Sequence, residues 1–184
     1  MGTDLAPVHP WVAEGARRVR FGVIPTGLGD WAVARDCAQA VEGLGLDSLW
    51  TGDHPAFGYS GWPMLGALAQ ATRSLRLGTL VSCVHYWNPV VLATLAADVD
   101  RLSGGRFVLG LGSGDLPPEF AQLGLVWPAG PARQAALEDA LRIVRPLLRG
   151  EAASHQGAHF RAQNVPPRPV AQRPYLPLLV AGGG

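Results

Sequence analysis

Arg106-Phe107-Val108-Leu109-Gly110-Leu111, running directly into Gly112-Ser113-Gly114-Asp115, is the stretch on which the fold turns. A short apolar run between glycines reads as a strand, and Gly104-Gly105 before it closes a helix. That helix starts at Asn88-Pro89, a cap followed by a proline at the first helical position. It carries Val91, Leu92, Leu95, Val99 and Leu102 on one side. Further back lie a strand at Leu75 to Val81, a helix from about Pro63 to Thr72, and a strand at Ser48 to Thr51. The first unit is a strand at Arg20 to Ile24 and a helix capped by Asp30, with Val33, Cys37, Val41 and Leu44 at helical spacing before Gly45. Downstream, the helix after Pro131 repeats Leu137, Leu141, Val144 and Leu148 up to Gly150, with Pro146 expected to kink it or loosen its last turn. A fifth strand is Leu178 to Val180.

Strands alternating with helices predict parallel pairing, because each parallel crossover needs a connection of a dozen or more residues. The first four strands begin near residues 20, 48, 75 and 106, one β/α unit apart. The longer gap before the fifth holds a Pro-rich segment, Ser154 to Tyr175, expected as a hairpin plus an extended arm. The predicted class is therefore α/β: residues 1–184 form a single domain, a partial (β/α)8 barrel with about five parallel strands and an insertion before strand five. Five strands fall short of the eight that close such a barrel.

Composition fits that class. The chain has 184 residues, 48% hydrophobic, with a formal net charge of +1 and a mean hydropathy of +0.15. A near-neutral balance gives no pull toward nucleic acid or an anionic membrane, and no stretch approaches the roughly 20 apolar residues of a membrane span. All 15 basic residues are arginine, scattered along the chain. The cysteines, Cys37 and Cys83, form no CxxC pair, and no metal site is expected. With no apolar leader-like run near the start, the expected location is the cytoplasm.

In parallel β/α folds the chemistry gathers at the C-terminal ends of the strands. Those ends bring together Pro25-Thr26-Gly27, Gly52-Asp53-His54, Ser82-Cys83-Val84-His85-Tyr86, Gly112-Ser113-Gly114-Asp115 and Ala181-Gly182-Gly183. Glycines there allow close backbone approach to a ligand, and a histidine beside an aspartate can move protons near neutral pH. Two competing motifs fail on spacing. Asp115 stands where GxGxxG needs its third glycine, and Leu111 stands where GxSxG needs its first.

These residues resemble the luciferase-like monooxygenase family, barrel oxidoreductases that use flavin or the deazaflavin coenzyme F420. The likeness rests on Arg76-Leu77-Gly78-Thr79-Leu80-Val81 with Tyr86-Trp87-Asn88-Pro89, on Leu102 through Gly114, and on Arg168-Pro169-Val170 with Pro177 through Gly183. It implies that His54 lies by the cofactor ring as an acid/base, that Asp53 helps hold ring or substrate, and that a non-prolyl cis peptide falls at Leu80-Val81. It implies that Gly112, Ser113 and the backbone of Ala181, Gly182 and Gly183 approach the cofactor. Asp115 takes the position where deazaflavin-type sugar-phosphate dehydrogenases carry a glutamate proton donor. The arginine that meets the flavin phosphate in luciferase proper is missing near Ser113.

The implied activity is hydride transfer between F420 and a small organic substrate. The alternative is an FMN-dependent monooxygenase acting with dioxygen. A reading from another class is a non-catalytic partial barrel, truncated or completed by a partner; the expected assembly is a homodimer or a barrel completed by a further polypeptide segment.

Overall fold

The computed structural model describes residues 7–25, 29–57 and 60–182. The barrel wall is built from β1 (Gly22–Val23), β2 (Ser48–Thr51), β3 (Arg76–Thr79), β4 (Ser82–Cys83), β5 (Phe107–Gly112) and β8 (Leu178–Val180). Its order is β1-β2-β3-β5, with β4 and β8 also paired to β5, and every pair in it is parallel. The helices are α1 (Pro10–Gly15), α2 (Trp31–Gly43), α3 (Gly61–Ala71), α4 (Pro89–Leu102), α5 (Pro117–Gln122) and α6 (Gly130–Leu147). β5 is buried at all six positions, which is why its sequence is continuously apolar.

The predicted third strand is one chain path in two pieces. Leu77 pairs with Phe107, whereas Ser82 pairs with Leu111, so this path spends one more residue than β5 over the same interval. That extra residue is a bulge, and the peptide Leu80-Val81 inside it is cis, at the position that the resemblance implied. The first strand is shorter than predicted. Among the described residues it pairs on one side only, through Gly22 and Val23.

Side-chain caps form where the sequence placed them: Asp30 accepts from the Val33 amide and Asn88 from the Val90 amide. The face of α2 differs from expectation. Ala34, Ala38 and Val41 are buried, while Val33 and Leu44 are exposed. Small side chains bring the helix axis close to the sheet, and the larger pair is left on the flank. Pro146 falls in the last turn of α6, which closes at Leu147. The insertion is the antiparallel hairpin of β6 (Ala153–Gln156) and β7 (Arg161–Val165), followed by an extended arm. That arm is pinned by fully buried Asp100, which accepts from the Ala171 and Gln172 amides and from the Gln172 side chain.

Glu42, at the end of α2, fastens the loop into β3. One of its oxygens, Oε1, accepts from the amides of Arg73, Ser74 and Leu75 and from the Ser74 hydroxyl, at 2.6–3.0 Å. Burial works against the charge, but these hydrogen bonds win and hold the pKa at about 2, against 4.5 for the free group. A depressed carboxylate stabilises the fold fully above its unfolded pKa, and the contribution fades as pH falls from about 4.5 toward 2. Allowing for partial solvent screening, that contribution is about 1–2 kcal/mol. Urea unfolding at pH 6 and pH 3 tests this: Glu42→Gln should lose less stability on acidification than wild type, and an equal loss would remove Glu42 from the account.

Within the described residues β1 and β8 each pair on one side alone, and Phe21, Ile24 and Val180 at these edges are exposed. No helix of the described residues is long and apolar enough to cross a membrane.

Candidate active site

The site begins where β2 ends. Gly52 follows Thr51, and a Cβ there would come within 2.8 Å of the His54 ring, so glycine leaves the space the imidazole occupies. Asp53 turns inward and is 1% exposed; the Trp87 indole donates to its Oδ2 at 2.6 Å. Its other oxygen, the Ser82 hydroxyl and the Trp62 indole nitrogen are buried, with no hydrogen-bond partner among the described residues. Burial raises the Asp53 pKa, and the polar groups of Trp87, Ser82 and Trp62 oppose that rise.

His54 turns the other way and is fixed on two sides. Its ring stacks on Phe57 with centroids 5.4 Å apart, and its Nδ1 lies 2.8 Å from Oε2 of Glu119. Glu119 is fully buried in the first turn of α5. The Tyr86 hydroxyl donates to the same Oε2 at 2.8 Å, and the Ala56 amide reaches Oε1 at 3.4 Å. Burial first, and the bond to Glu119 second, push the Tyr86 pKa far up, so the phenol keeps its proton. Burial also lifts the nearby Cys83 thiol to about 11, which leaves it protonated and unreactive near neutral pH.

These groups share a cavity of about 380 Å³ at the strand ends. It brings together the sequence-derived residues Asp53, His54, Leu80, Val81, Gly112, Ser113, Asp115, Ala181 and Gly182, with Cys83 and Tyr86. Gly183 and the Thr26-Gly27 pair lie outside the described residues. Asp115 stands exposed on the wall, and the carboxylate that reaches His54 is Glu119. His85, the other rim histidine, packs against Phe120 at 5.5 Å and does not line the cavity. A wider groove of about 710 Å³ runs along the outer face of α6, lined by residues such as Glu138, Arg142 and Arg145. It is lined by α6 and the β6 hairpin and by no strand of the barrel wall, so the rim cavity is the candidate site.

A family model described as luciferase-like monooxygenase matches residues 9–184. The chain belongs to that family. One relative is an F420-dependent glucose-6-phosphate dehydrogenase of Amycolatopsis mediterranei (strain U-32), 30% identical over 155 residues, with 80% of this chain and 46% of the relative covered. Another is a 4-hydroxyprotoasukamycin monooxygenase of Streptomyces nodosus subsp. asukaensis, 33% identical over 154 residues, covering 82% and 38%. The fold is similar to that of a coenzyme F420-dependent tetrahydromethanopterin reductase from Methanopyrus kandleri, with a TM-score of 0.81, 22% identity and coverage of 91% and 51%. The chain thus spans about half the length of the luciferase-like proteins it matches.

Glu119 is the site residue that sequence reasoning missed. In Leu116-Pro117-Pro118-Glu119-Phe120 it reads as an ordinary acidic residue in the first turn of a short helix, where charge usually faces water. Only the packing of α5 against the strand-two loop turns it inward.

Proposed function

We propose that this chain forms the ring-binding side of an F420-dependent oxidoreductase, with His54 as the proton-carrying group. The observation that carries the reading is the rim cavity. It is lined by the apolar Leu80-Val81 step together with the polar groups of His54, Ser113 and Asp115, all at strand ends. That combination suits a flat heteroaromatic ring with apolar faces and a hydrogen-bonding edge. The free Oδ1 of Asp53 supplies a buried acceptor beside it.

In this assignment Leu80 and Val81 support the ring, and Gly112, Ser113, Ala181, Gly182 and Gly183 provide close backbone approach. When bound, the deazaflavin supplies or accepts a hydride. His54 takes or returns the substrate proton at Nε2, with its other nitrogen committed to Glu119. Asp115, on the cavity wall, is the second acid/base group. The walls exclude water from the reacting pair.

A monooxygenase among the relatives favours a second reading, FMN chemistry with dioxygen at the same ring site. Fluorescence titration of the protein with F420 and with FMN separates the two. F420 is expected to bind the more tightly; tight FMN binding without F420 binding would overturn the assignment. The reading also includes closure of the β1 and β8 edges by a further β/α segment or a second copy, read by sedimentation. A well-folded monomer that binds neither cofactor leaves the non-catalytic partial barrel as the better account.

A further inference from the structure

Glu119 carries more than the function requires of a buried packing residue. It is fully buried, has no arginine partner among the described residues, and has three polar groups aimed at it from two separate loops. Its Oε1 faces the Ala56 amide at 3.4 Å, and its Oε2 faces both His54 Nδ1 and the Tyr86 hydroxyl at 2.8 Å. A carboxylate can only accept hydrogen bonds, so the imidazole nitrogen that meets it has to bear the proton. The opposite nitrogen of His54 makes no hydrogen bond among the described residues, and the ring lines the cavity.

We propose that Glu119 is the positioning residue of this site, holding His54 in its Nδ1–H tautomer so that an unprotonated Nε2 faces the cavity. Tyr86 supports the arrangement by turning its hydroxyl hydrogen inward to the same oxygen. Phe57, stacked at 27° to the imidazole, fixes the ring plane while Glu119 fixes the proton. The inference rests on His54 being the group that faces the substrate.

An isosteric change makes a sharp test. In Glu119→Gln the orientation that keeps the Ala56 contact puts the amide oxygen against that N–H. The NH2 group then faces His54 Nδ1 and Tyr86. It would donate to Nδ1 and drive the imidazole to the Nε2–H tautomer. The readout is two-bond proton–nitrogen correlation of protein labelled with nitrogen-15 in its histidines, recorded above pH 8 without cofactor. His54→Gln identifies the His54 signals. Wild type is expected to show Nδ1 protonated and Nε2 bare, Glu119→Gln the reverse, and Tyr86→Phe the wild-type pattern. A protonated Nε2 in wild type overturns the proposal. The wild-type spectrum decides even if the variant fails to fold. In the cofactor-loaded protein Glu119→Gln should lower kcat by about 10²-fold or more while cofactor affinity stays near wild type.

The two readings fail separately. Binding of neither cofactor sinks the proposed function and leaves the tautomer result standing. Cofactor binding with the wrong tautomer sinks the role of Glu119 alone.

Discussion

Gly110→Ala is expected to destabilise the protein by about 3–5 kcal/mol and to distort the rim cavity. Gly110 lies on β5 opposite the broken third strand, and a Cβ there would overlap the Thr79 carbonyl oxygen and approach Val81 Cγ1 at 3.0 Å. Backbone cannot swing aside as a long side chain can. The Thr79 hydroxyl also donates to the Gly110 carbonyl at 2.8 Å and accepts from its amide at 2.9 Å, so separating the chains breaks both bonds. Leu80 and Val81 come immediately after Thr79, so any displacement moves the apolar wall of the cavity. In thermal denaturation the loss should appear as a fall in Tm of about 10 °C for a domain of this size. Gly130→Ala is the control, because a Cβ at that helix start meets nothing within 4 Å. If both variants melt together with wild type, the close approach at Gly110 is not a constraint.

Arg106→Met is expected to cost about 3–5 kcal/mol in urea unfolding, and Arg106→Lys most of that. The guanidinium donates five hydrogen bonds: Nε to the Ser103 carbonyl, Nη1 to the Thr72 hydroxyl and the Leu75 carbonyl, and Nη2 to the Ala69 and Thr72 carbonyls. Ala69 and Thr72 lie at the C-terminal end of α3 and Ser103 at that of α4. One cation therefore satisfies the carbonyl ends of two helices, where positive charge is favoured, and clamps both to the start of β5. Methionine keeps the length and leaves the carbonyls unpaired. Lysine keeps the charge but lacks the planar fork that reaches several acceptors. Unfolding midpoints unchanged for both variants would show that water replaces the guanidinium without penalty.

Much of the site was legible because its residues sit directly after strands. Once Ser48–Thr51, Leu75–Val81, Arg106–Leu111 and Leu178–Val180 read as parallel strands, the loops at their C-terminal ends have to meet at one rim. Asp53, His54, Ser113, Asp115 and Ala181 do so. Groups whose direction depends on packing were not legible. Asp53 and His54 are neighbours in the chain and both line the cavity, yet one is held by Trp87 and the other by Glu119. Periodicity likewise put Val33 on the buried face of α2, where the structure buries Ala34 and Ala38.

The sequence by itself determined the class of fold and the rim on which the chemistry collects, because apolar runs, glycine breaks and crossover lengths are properties of the chain read in order. Only the tertiary structure decided which carboxylate serves His54 and what Arg106 holds. Apart from the Ser103 carbonyl, those contacts join residues 65 and 31–37 positions apart, and no local pattern records the direction in which a side chain closes such a distance.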